Sequence, residues 1–75
     1  MTRPDRLDRL AEATAIAAQT VRHAARIAHD AARDPATGAL DTPAMDLASD
    51  LDHYAHLTER TAAEAAAATY EEAHR

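Results

Sequence analysis

One break, Asp34-Pro35-Ala36-Thr37-Gly38, divides this chain into two long segments, and past its first turn each is free of proline and glycine. Apolar residues in both segments recur at alternating steps of three and four, the period of a helix that buries one stripe. Pro35 and the single glycine, Gly38, are the strongest turn signals in the sequence. The expected fold is therefore all-α: an antiparallel two-helix hairpin, an Ala-rich coiled coil, forming one domain over residues 1–75. The pattern places a helix at 3–33, a turn at 34–42 and a helix at 43–74. Thr2, Pro4 and Asp5 form a helix start, with Thr2 as cap and Asp5 at the positive helix end. Thr42 and Pro43 repeat the cap-then-proline order for the second helix. Leu40 is expected to pack over the open end of the hairpin.

The heptads mirror one another about Thr37-Gly38. On helix one the core-type positions are Leu7, Leu10, Thr14, Ala17, Val21, Ala24, Ala28 and Ala31. On helix two they are Ala44, Leu47, Leu51, Tyr54, Thr58, Thr61, Ala65 and Ala68. Folding the chain puts Leu7 level with Ala68, Leu10 with Ala65, Val21 with Tyr54, and Ala24 with Leu51. Large side chains thus meet small ones, as a tight antiparallel pair requires. The expected hairpin seam rests on Leu7, Leu10, Val21, Ala24, Leu47, Leu51, Tyr54 and Ala65. Beside it runs a row of alanines, Ala11, Ala18, Ala25 and Ala32 with Ala48, Ala55 and Ala62, which lets the backbones approach closely.

Charge favours the same antiparallel pairing. Residues 1–34 hold six Arg and five acids, whereas residues 35–75 hold two Arg and eight acids. Arg22, Arg26 and Arg33 lie level with Asp41, Asp46, Asp50 and Asp52, and Arg3, Arg6 and Arg9 lie level with Glu71 and Glu72. Exposed ion pairs contribute only about 0–1 kcal/mol each, so they select orientation more than they stabilise.

Composition narrows the function classes. Alanine supplies 22 of the residues counted as hydrophobic, leaving few large side chains to bury. Six of these on the seam stabilise by roughly 2 kcal/mol each, little for a chain of this size, so self-association or a partner is expected. No basic stripe suits nucleic acid, no stretch is long and apolar enough to span a bilayer, and no signal-peptide core follows Met1. A cytoplasmic protein is the plain expectation, with secretion without a cleaved signal as the other route. Without Cys there is no disulfide framework and no thiolate chemistry, and the absence of Lys beside eight Arg, with abundant Ala and Asp, suits a GC-rich, actinobacterial-type genome. One Gly and one Ser leave little for phosphate cradling or nucleophilic catalysis, so no enzyme and no cofactor is expected.

A second stripe carries the functional expectation. Ala13, Ile16, Thr20, His23 and Ile27 are rotated away from the seam and border Asp50, His53, Leu57, Arg60 and Glu64 of helix two. An exposed stripe with two isoleucines ill suits a monomer. The expected interface is thus Ile16, Thr20, His23, Ile27, His53, Leu57 and Arg60, used for a homodimeric four-helix bundle or for another protein's amphipathic helix. The chain reads as a non-catalytic protein–protein interaction module, a small subunit or regulatory binding protein, with an acidic face of Asp46, Asp50, Asp52, Glu59 and Glu64. His23 and His53 at an interface would make association sensitive to pH.

The alternative from another class is a metal-binding bundle using Asp52, His53 and His56, whose spacing brings carboxylate and imidazole onto one face. The Glu-x-x-His spacing of Glu71 and His74 resembles ferritin-like iron bundles. His29-Asp30, followed by Pro35, resembles the phospho-acceptor box of dimerising histidine kinases, which implies phosphotransfer. In outline the hairpin is similar to the small actinobacterial proteins exported by type VII secretion, which implies a secreted helical pair. It has Ala36-Thr37-Gly38 where that family has Trp-x-Gly, and His74 rather than an acid four residues after Tyr70.

Overall fold

The computed structural model describes residues 2–75 as two helices, α1 (Arg3–Ala31) and α2 (Thr42–Ala73), packed against each other in a rod of 56 × 15 × 14 Å. Among the described residues there is no β-strand, only an isolated antiparallel bridge between Arg33 and Leu40 beside the turn. None of these helices is long and apolar enough to cross a membrane.

The helix starts follow from the capping chemistry. The Thr2 side chain accepts from the Asp5 backbone N–H, and the Asp5 carboxylate accepts from the Thr2 backbone N–H, a reciprocal capping box. At α2 the cap is Asp41 and not Thr42: its carboxylate accepts from the Ala44 N–H at 3.1 Å. An ionised carboxylate is the better acceptor at the positive helix end, and so Thr42 and Pro43 both fall inside the first turn.

α1 stops two residues short of Arg33 because the turn takes over its backbone groups. Asp34 N–H donates to the Ala39 carbonyl, Gly38 N–H to the Asp34 carbonyl and Asp41 N–H to the Ala32 carbonyl, at 2.7–2.8 Å. Gly38 carries the positive φ of 72° that this closure needs. The Asp34 carboxylate accepts from the Ala36 N–H within the loop. Leu40 remains 53% exposed, so it does not cover the end of the hairpin as its position suggested; its backbone is held in the bridge to Arg33, which leaves the side chain outside.

Among the described residues the buried ones are Ala18, Ala25, Ala32, Ala48 and Ala55, and no larger side chain is fully buried. The seam is therefore the alanine row itself. Leu7, Val21, Leu51 and Ala65 are half-buried at its margin, as is Ala24. Leu10, Leu47 and Tyr54, expected in the seam, are 58, 67 and 57% exposed. The reason is steric: two helices gain the most contact where only methyl groups separate their backbones, and a Leu or Tyr between them would hold the axes apart. The seam is turned by one residue from the one the leucines suggest. Thr14 and Thr58 can sit half-buried there because each hydroxyl donates to carbonyls one turn earlier, on Leu10 and Ala11 and on Tyr54 and Ala55.

Candidate functional site

The alanine seam divides the rest of the hairpin into two faces of opposite character. Each residue advances about 100° around a helix, so residues just before and just after a buried position lie on opposite sides of the seam. In an antiparallel pair the "before" sides of both helices fall on the same face of the hairpin.

The ionic face fixes this geometry. Arg22, His29, Asp52 and Glu59 each lie four residues after a buried alanine, on the "after" side, and they meet across the seam. The Arg22 guanidinium forks onto Glu59, with Nη2 to Oε1 at 2.6 Å and Nε to Oε2 at 3.2 Å. Its Nη1 donates to Asp52 Oδ1 at 3.1 Å. His29 Nε2 donates to the other Asp52 oxygen, Oδ2, at 2.7 Å. His56 Nδ1 stands 3.8 Å from Glu59 Oε1. A shallow groove beside this network is lined by Ala15, Ala18, Gln19, Arg26 and Ala62.

These contacts shift the charges they join. The hydrogen bond from His29, with the charge of Arg22 behind it, holds the Asp52 carboxyl below the ordinary carboxylate range. The hydrogen bond from Arg22 does the same for Glu59, and Glu59 in turn raises the Arg22 guanidinium. Because both carboxyls titrate lower in the folded chain than in the unfolded one, their contribution is complete above about pH 4–5 and is lost as pH falls through the folded values. Asp52→Asn is expected to lower stability near neutral pH and to make the remaining stability fall less steeply in acid. Thermal melts followed by circular dichroism between about pH 6 and pH 2.5 measure this; parallel acid curves for the two proteins would contradict it.

The opposite face is apolar. It presents the residues just before the seam alanines: Leu10, Ala17, Ala24 and Ala31 on α1, with Leu47, Tyr54, Thr61 and Ala68 on α2. Ile27 and Leu57 fringe it and are 56 and 39% exposed. The expected interface residues divide accordingly. Thr20, Ile27 and Leu57 border the apolar face, whereas Ile16 and His23 lie on the outer back of α1, and His53 and Arg60 on the outer back of α2. All seven are exposed. His23 and His53 thus stand on opposite edges of the rod and do not flank a common stripe. Sequence reasoning placed Leu10, Leu47 and Tyr54 inside the hairpin and so missed them as surface residues; the charged residues four after each alanine were the available signal.

The histidines expected to bind metal are engaged otherwise or apart. Both Asp52 oxygens already accept from Arg22 and His29, while His53 points to the back of α2, beside Tyr54 at 6.2 Å between rings. Among the described residues no three His, Cys, Asp or Glu side chains gather as a metal site. His74 caps α2: its Nδ1 donates to the Tyr70 carbonyl at 2.8 Å and its ring stacks on Tyr70 at 3.9 Å.

No protein-family model, curated protein or solved structure matches this chain.

Proposed function

We propose that this hairpin is a non-catalytic protein–protein interaction module that works by self-association, two copies joining through their apolar faces into a four-helix bundle. One observation carries the reading: the hairpin buries only alanines on its own seam, with Leu7, Val21 and Leu51 half-buried beside them, and leaves Leu10, Leu47 and Tyr54 more than half exposed on one face. A helix surface of that kind is stabilised by a second layer of helices. The rod is 56 Å long and 15 Å wide, so its apolar side offers an area of the order a standard interface takes from each partner, about 800 Å². The ionic face supports the same division, since Arg22, His29, Asp52 and Glu59 pair with one another across the seam.

Sedimentation equilibrium tests this. The protein is expected to be dimeric at tens of micromolar, with a mass near twice 8.0 kDa. A mass that stays at the single chain up to millimolar concentration removes the self-association reading and leaves the apolar face to another protein's helix.

A further inference from the structure

We infer that the two copies pack with their turns at the same end, so that α1 of each lies on α2 of the other. This rests on the self-association proposed above and adds to it the geometry and the residues that select it.

Two packings keep every neighbouring helix pair antiparallel and overlap the hairpins along their full length. If the two-fold axis runs along the rod, the turns share one end and α1 covers the other copy's α2. If the axis crosses the rod, the turns lie at opposite ends and like helices cover each other. The fringe of the apolar face distinguishes the two.

Heights along the rod are set by contacts within the chain. Arg3 meets Glu72 at 3.2 Å at the open end, and Arg33 bridges Leu40 at the turn. At those heights Arg6 falls between Glu64 and Glu71. All three lie on the fringe of the apolar face but on opposite outer edges of one hairpin, and none is in an ion pair among the described residues. With the turns together, the α1 fringe of one copy lies along the α2 fringe of the other. Arg6 then reaches Glu64 and Glu71 of the second copy, twice in the dimer.

With the turns apart, α2 lies on α2 about its midpoint, and Asp50 of each copy stands opposite Glu64 of the other. Like charges placed opposite one another work against that packing, and opposite charges favour the first. Shape agrees with the first packing. Tyr54 stands at a height between Ala17 and Ala24 of the covering helix, and Leu47 between Ala24 and Ala31, so each large side chain enters a gap between small ones.

A nitroxide on Thr37→Cys, in the exposed turn, reads the arrangement directly by pulsed electron–electron distance measurement on the dimer. Turns at one end give a separation within roughly 25 Å, the width of two helix layers plus the label tethers. Turns at opposite ends give a separation near the rod length of 56 Å, which overturns the arrangement while leaving the dimer standing. A sample that sediments as single chains overturns both. Charge reversal supplies an independent reading. Arg6→Glu is expected to weaken dimerisation several-fold at low salt, and adding Glu71→Arg to restore it. Absence of restoration counts against the arrangement even where the dimer persists.

Discussion

Ala25→Leu is expected to lower the melting temperature of the hairpin by about 10 °C or more. Ala25 is 1% exposed at the centre of the seam, where one methyl group is all that separates its helix from the other. Three further carbons have no void to fill there, so they must push the helices apart or bend the leucine off its rotamer, at a cost of about 1–3 kcal/mol. In a domain this small each kcal/mol corresponds to roughly 4–8 °C. Separating the helices also lengthens the contacts of Arg22 and His29 with α2, which adds to the loss. Ala15→Leu, at an exposed position of the same helix, makes the control: leucine is a good helix former and should change the melt by no more than a few degrees. Equal melts for the two variants would mean that the seam lies elsewhere.

Leu47→Lys combined with Tyr54→Lys is expected to abolish dimerisation, raising the dissociation constant by about a thousandfold or more. In the isolated hairpin these side chains are 67 and 57% exposed, so lysine costs the single chain little. At a helix-on-helix interface each would lose a large apolar contact and bury an ammonium group, about 2 kcal/mol or more per side chain. Two such losses amount to three powers of ten in affinity. The variant should sediment as one chain at tens of micromolar, and its melting temperature should no longer rise with protein concentration. The same double change on the ionic face, Ser49→Lys with Ala63→Lys, should leave the dimer intact. Loss of the dimer in both variants would point to charge or folding, not to the apolar face.

How much of this was legible in the residues varies with the kind of signal. The break at Pro35 and Gly38, the two helices and their antiparallel sense are read from periodicity and turn chemistry, which act locally. The cap on α2 moved by one residue because Asp41 and Thr42 are both competent caps, and sequence order alone does not rank them. The seam was misplaced by one residue for a sharper reason. Alanine occupies both candidate stripes, so assigning the core by size chooses Leu10, Leu47 and Tyr54 over Ala11, Ala48 and Ala55. Close backbone approach chooses the reverse. The charged residues settle it, because Arg22 and Asp52 reach each other only if the alanine row lies between the helices.

A seam made of methyl groups has consequences for sliding. Without interdigitating knobs, little in the packing stops one rod from shifting lengthwise past its neighbour by a residue or more. Alignment is instead pinned from outside: by the loop's ring of backbone bonds at one tip, by Arg3 on Glu72 at the other tip, and between them by the network of Arg22 and His29 with Asp52 and Glu59. Those three fastenings hold a smooth bearing in place.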